Sequence, residues 1–137
     1  MFCGCKLLTS LDVNDFDTSN VTNMNSMFSE CRGLTSLNLS NFNTGKVTDM
    51  SMMFFCCKQL TSLDLTNFDT SNVIDMDSMF NCCSNLTSLN LSSFNTNKAT
   101  RYSYMLSSVT AQVTVGSNWN VAMTESATGY EGTFIEI

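Results

Sequence analysis

The chain has no histidine and no proline, one tryptophan, and six lysines and arginines in 137 residues. Without histidine there is no imidazole to activate a serine or cysteine nucleophile. A glycine-rich phosphate loop and a Gly-x-Ser-x-Gly elbow are also missing, so the residues favour a protein that is not an enzyme and carries no cofactor. The six cations, Lys6, Arg32, Lys46, Lys58, Lys98 and Arg101, are scattered, and the net charge is -6. That balance argues against nucleic acid or an anionic membrane as partner, because both want clustered Lys and Arg. No run approaches the ~20 apolar residues of a membrane-spanning helix. The start Met1-Phe2-Cys3-Gly4 has neither the charged nor the apolar region of a signal peptide.

What the chain has is repetition. Leu-Thr-Ser-Leu opens at Leu8, Leu34, Leu60 and Leu86, a constant step of 26 residues. Seven positions are identical in the four copies. They are those two leucines with the Thr-Ser between them, a Phe (Phe16, Phe42, Phe68, Phe94), a Thr (Thr18, Thr44, Thr70, Thr96) and a Met (Met27, Met53, Met79, Met105). A fixed period of this length is the signature of a solenoid.

Within the second copy, Leu37 and Leu39 alternate with Ser36, Asn38 and Ser40, as in a strand with one buried face. Asn41 to Thr44 reads as a turn, with Phe42 plugging the interior. From Val47 the apolar residues Val47, Met50, Met53, Phe54 and Cys57 recur at three to four residues, the spacing of one helix face. Val21 to Cys31 and Val73 to Cys83 repeat it. Parallel strands stack ~4.8 Å apart and helices ~8–10 Å. A strand-turn-helix copy therefore predicts an α/β horseshoe, with the parallel sheet on the concave side and short helices on the convex side.

The array covers residues 1–106, with a partial copy at 1–7 and full copies from 8, 34, 60 and 86. Met1, Phe2 and Cys5 fall one period before Met27, Phe28 and Cys31, so the chain begins inside a copy and reads as a piece of a longer array with an open N-terminal edge able to self-associate. After Thr100 the pattern decays, and Gln112 stands where the next Leu belongs. Val113-Thr-Val115 still suits a last strand. Residues 107–137, with Trp119, Tyr130 and Phe134, read as a C-terminal cap.

The Leu-x-x-Leu-x-Leu-x-x-Phe run resembles a leucine-rich repeat, with Phe where many such repeats carry Asn. The longer phrase Leu60-Thr-Ser-Leu-Asp-Leu-Thr-Asn-Phe-Asp-Thr-Ser-Asn-Val-Ile-Asp-Met-Asp-Ser-Met-Phe80-Asn-Cys-Cys resembles the BspA-like repeat proteins of bacterial and protist cell surfaces. That resemblance implies an extracellular or cell-surface location and a part in adhesion. The family brings no catalytic residues.

Several residue groups invite sharper chemistry. Seven cysteines lack the paired spacing of a zinc site, and Cys31, Cys57 and Cys83 fall on the apolar face, so they read as buried free thiols rather than metal ligands or disulfides. The string Asp12, Asn14, Asp15, Asp17 suggests calcium, but its counterpart Asn38, Ser40, Asn41, Asn43 has no carboxylate, and turn chemistry accounts for both. The methionine rows beside Phe28, Phe54 and Phe80 read as core, and no metal is expected.

The expected function is recognition of a protein or glycan of unknown identity through the strand face. Its candidate residues are the rows Ser10, Ser36, Ser62, Ser88; Asp12, Asn38, Asp64, Asn90; and Asn14, Ser40, Thr66, Ser92. Such a surface lacks Trp, Tyr and Arg anchors and suits weak, multivalent contacts. One rival is a spacer or stalk. A remote one is ice binding through the rows Thr9, Thr35, Thr61, Thr87 and Thr18, Thr44, Thr70, Thr96.

Overall fold

Thr, Asn, Ser and Asp fill the polar positions of the Met/Phe segment, and their weak helix preference leaves its amides open to other acceptors. In the computed structural model, which describes residues 1–125 and 127–137, those acceptors are the carbonyls of the next copy. Met24, Ser26, Phe28 and Glu30 donate their backbone N–H to Asp49, Ser51, Met53 and Phe55 at 2.7–3.0 Å. Between them, Met27, Ser29 and Cys31 donate to the residue three positions back at 3.1–3.2 Å. The same alternation joins Met50, Met52, Phe54 and Cys56 to Asp75, Asp77, Met79 and Asn81, and Met76, Ser78, Phe80 and Cys82 to Arg101, Ser103, Met105 and Ser107. Isolated parallel bridges run along the same side from Asn23 to Asp49, Asp75 and Arg101.

A chain that alternates in this way is a succession of tight turns, and it needs left-handed residues. Ser26 and Glu30, Met52 and Cys56, Ser78 and Cys82, and Tyr104 and Ser108 all have φ between 54° and 63°. Each costs ~1–2 kcal/mol in a residue with a Cβ, and the bonds to the next copy offset it. Gly4 holds the same position one copy earlier at φ 80°.

The expected α/β leucine-rich-repeat solenoid, a horseshoe, is therefore not what this chain forms. The expected convex helices are absent among the described residues, where the one α-helix is α1, Val121–Glu125, beyond the array. The expected sheet contracts to three short parallel strands in the order β1-β2-β3, namely β1 (Ser88–Leu91), β2 (Gln112–Val115) and β3 (Phe134–Glu136). Most of the remainder is turns and extended segments. The wedge argument fails for a measurable reason. Phe2, Phe28, Phe54 and Phe80 stack with ring centroids 5.8, 5.8 and 5.6 Å apart and planes within 11°, so no layer spaced at 8–10 Å exists to splay the array.

The residues chosen as core by their spacing are core even so. Val47, Met50, Met53, Phe54 and Cys57 are at most 1% exposed, as are Val73, Met76, Met79, Phe80 and Cys83. A run of three-residue turns returns a side chain inward every three to four residues, as a helix does. Cys31, Cys57 and Cys83 are buried and free, and each donates its S–H to the carbonyl of a Phe in the preceding copy: Phe2 at 3.2 Å, Phe28 at 3.2 Å and Phe54 at 3.0 Å. The invariant threonine has a parallel task. Thr44 Oγ1 donates to the Asp69 carbonyl at 3.0 Å and accepts from the Asp69 N–H at 2.9 Å. Thr70 does both with Asn95.

Beyond the array the step shortens. Ser88 pairs with Gln112 and Leu89 with Val113, an offset of 24 rather than 26, so Gln112 does not occupy the missing Leu position; Val113 and Val115 continue the rows of Leu89 and Leu91. Gly116 ends β2 where any Cβ would collide with the Ser92 carbonyl. Asn120 caps α1 through its Oδ1, which accepts the Ala122 N–H at 3.0 Å. Trp119, Tyr130 and Phe134 cluster against the last layer, with rings 6.2 and 4.7 Å apart.

Two outcomes follow from this packing. Thr70→Val should lower unfolding free energy by ~1–3 kcal/mol, because it leaves the Asn95 N–H and carbonyl without their partner; Thr66→Val, on the exposed surface, should change it by less than ~0.5 kcal/mol, and equal losses in chemical denaturation would contradict the assignment. Burial pushes the Cys57 thiol up from 9.0 to about 12 and holds Cys31 and Cys83 above the ordinary value too. A thiol kept neutral by the fold stabilises it fully below the unfolded value, and that stability drains away as pH rises toward the folded value. Denaturation midpoints should thus fall between about pH 9 and pH 12, while these thiols stay slow toward a thiol reagent at pH 8.

Candidate recognition surface

Alternation in the Leu-Thr-Ser-Leu segments turns the leucines inward and the intervening polar residues outward. Leu37, Leu39, Leu63, Leu65, Leu89 and Leu91 are buried. Of the twelve candidate residues, Ser10, Asp12, Asn14, Ser36, Asn38, Ser40, Ser62, Asp64, Thr66, Ser88 and Asn90 are exposed and Ser92 is half-buried. Ser62, Asp64, Thr66, Ser88 and Asn90 come together, with Leu63 at the floor, around an open concavity of about 380 Å³. The expectation of a continuous sheet beneath them is corrected. Only the last copy is a strand, and Thr61 and Thr87 each give one N–H to the preceding copy, to Thr35 at 3.1 Å and Thr61 at 3.2 Å.

The Asx row is less free than its exposure suggests. Asp12 Oδ1 accepts the Asn14 N–H at 3.0 Å, Asn38 Oδ1 accepts that of Ser40 at 3.1 Å, and Asn90 Oδ1 accepts that of Ser92 at 3.0 Å. Asp64 Oδ1 takes both the Thr66 N–H at 3.0 Å and its hydroxyl at 2.7 Å. These are Asx turns. They leave the second carboxylate oxygen of each Asp, the side-chain amide of Asn90 and the serine hydroxyls to face a ligand; the Asn38 amide is engaged with Asn14 Oδ1 at 2.9 Å.

The acidic string of the first copy resolves the same way, with Asp17 Oδ1 accepting the Ser19 N–H at 2.9 Å. No group of three or more Cys, Asp or Glu among the described residues is arranged to hold a metal ion. Of the two threonine rows, Thr18, Thr44, Thr70 and Thr96 are buried at 4% exposure or less, so that row has no face toward water or ice. Thr61 and Thr87 are exposed but each gives its hydroxyl to a carbonyl of the preceding copy at 3.2 Å. Sequence reasoning missed a second polar surface, on the turn side. There Arg101 Nε reaches Asp75 at 3.2 Å and Asp77 at 3.8 Å, and Glu30 meets Arg32 at 2.9 Å and Lys6 at 3.4 Å. Of these pairs only Arg101 and Asp75 stand one 26-residue step apart, the one signal the sequence held.

Fold and surface together define a protein of tandem 26-residue copies joined edge to edge, with polar rows on its outside. The sequence matches the family described as "Mycoplasma protein of unknown function, DUF285" over residues 1–62 and again over 34–133, and the chain belongs to that family. No curated protein matches it. No solved structure does either.

The aspartates that close turns carry a pH signature. Hydrogen bonds from Thr66 hold the Asp64 carboxyl below its ordinary 3.8, the backbone N–H contributing most, and bonds from Ser19 and Ser71 do the same for Asp17 and Asp69. A carboxyl depressed by folding stabilises fully above the unfolded value, and that contribution disappears as pH falls through the folded one. Urea midpoints should be flat from pH 7 to about 5 and decline below about pH 4; the Asp17→Asn, Asp64→Asn, Asp69→Asn triple variant should decline less steeply. An unchanged acid limb would show that these turns do not couple to folding.

Proposed function

We propose that this chain is a non-catalytic recognition or adhesion module of a cell-surface protein related to the BspA-like repeat proteins, and that it binds a protein or glycan through its exposed Ser and Asx rows. The observation that carries this reading is the concavity between Ser62, Asp64, Thr66, Ser88 and Asn90, where hydroxyl, amide and carboxylate groups converge over one apolar side chain, Leu63. Sugars suit such a lining, because their hydroxyls pair with Ser, Asn and Asp while a C–H face rests on an aliphatic group. Few strong anchors are present, so affinity comes from repetition of weak contacts along the rows.

A spacer role is the second reading, favoured by the Asx oxygens already occupied in their own turns. A glycan array, together with pull-down from host cell surfaces using a multimerised chain, separates the two. Binding that survives Gln59→Arg, outside the rows, and drops at least about tenfold with Ser62→Arg plus Ser88→Arg supports recognition. Absence of any binding by a multimer that remains folded supports the spacer.

A further inference from the structure

Two cysteines stand apart from the three thiols held on phenylalanine carbonyls. Cys56 and Cys82 occupy one position in adjacent copies, both left-handed, at φ 56° and 63°. The Cys56 N–H donates to Asn81 at 2.8 Å and the Cys82 N–H to Ser107 at 2.9 Å. The backbones at this position therefore run in register, with parallel neighbours spaced ~4.8 Å, inside the ~4.4–6.8 Å Cα range of a disulfide. The same register sets their side chains side by side, and burial together with the neighbouring Cys82 holds the Cys56 thiol above its ordinary value. Cys56 is buried and Cys82 half-exposed. The adjoining Cys57 and Cys83 face the other way, each held on a Phe carbonyl.

We propose that Cys56 and Cys82 are a redox-active dithiol, oxidised by hydrogen peroxide or a related hydroperoxide to a disulfide that ties the second copy to the third. Cys82, the accessible partner, reacts first. Its thiolate attacks the peroxide, an S–O bond forms as the O–O bond breaks, and the departing hydroxide combines with the thiol proton as water. The Cys56 sulfur then attacks the sulfenic sulfur of Cys82. The S–S bond forms, the S–O bond breaks, and the hydroxide leaves with the Cys56 proton as a second water. Two thiols supply the two electrons that reduce one peroxide. Because the backbones are already bonded at this step, closure needs side-chain rotation and a small approach of the two chains.

The test uses the full chain with Cys3→Ser and Cys5→Ser, which removes the exposed and the half-buried N-terminal thiols. One equivalent of hydrogen peroxide should give a monomer lighter by two hydrogen atoms, with two fewer alkylatable thiols. Cleavage after lysine should then yield one species linking 47–58 to 59–98. Serine is compatible with the position, since Ser108 holds it at φ 60° in the next copy. Cys56→Ser should stop at a sulfenic acid on Cys82 that dimedone captures, and Cys82→Ser should form no bridge. A bridge that persists in either variant, dimers linked between chains in its place, or an unchanged thiol count after peroxide would overturn the proposal.

Discussion

Alternate amides of the Met/Phe segments reach across to the next copy, and that one constraint organises the molecule. It brings equivalent residues of adjacent copies as close as strands of a sheet, which is why Phe2, Phe28, Phe54 and Phe80 stack nearly coplanar. It also brings Cys57 Sγ within 3.2 Å of the Phe28 carbonyl and Thr70 within reach of both backbone groups of Asn95. None of these side-chain bonds survives a helix-like spacing of ~8–10 Å. The left-handed residues are the conformational cost of sending every second N–H outward, and two per copy is what the geometry requires.

Repetition, the buried rows and the polar outer rows were legible because each rests on which side chains avoid water. The local backbone was not. Val47, Met50, Met53, Phe54 and Cys57 have helical spacing and are buried, yet they lie in turns, because apolar periodicity reports the direction of side chains and not the partner of each amide. Glycine or asparagine would have marked the left-handed positions. Glu30, Met52, Cys56 and Tyr104 do not, since here the neighbouring copy rather than the residue type stabilises φ > 0. The shortened offset between β1 and β2 was equally hidden. Gln112 looks like a failed Leu until Val113 is seen opposite Leu89.

For the candidate surface, exposure was readable and availability was not. Alternation predicts that Asp12, Asn38, Asp64 and Asn90 point outward, but not that one oxygen of each closes a turn. Under the proposed recognition role, a ligand on this face would meet hydroxyls and the remaining oxygens on a preformed backbone. That would limit the entropy lost on binding and leave specificity to how the rows vary from copy to copy.

That variation has an electrostatic logic. Rows of like charge at the spacing of adjacent strands repel, and opposite neighbours of one sign destabilise a sheet. Asp12, Asn38, Asp64, Asn90 alternates charged with neutral, and so does Asp17, Asn43, Asp69, Asn95. One row of cations follows suit. In Asn20, Lys46, Asn72, Lys98 each lysine donates to the Asn one copy back at 2.7 Å. Two rows break the alternation: Lys6, Arg32 and Lys58 stand in successive copies, the first two sharing Glu30 at 3.4 and 2.9 Å, and Asp49 lies beside Asp75, joined directly by a parallel bridge. The aspartate pair is bracketed by compensation, with Asn23 Nδ2 donating to Asp49 at 3.3 Å on one side and Arg101 on Asp75 at 3.2 Å on the other. An array whose backbone forces identical positions together can carry carboxylates only by skipping copies or by supplying a donor at the row's ends.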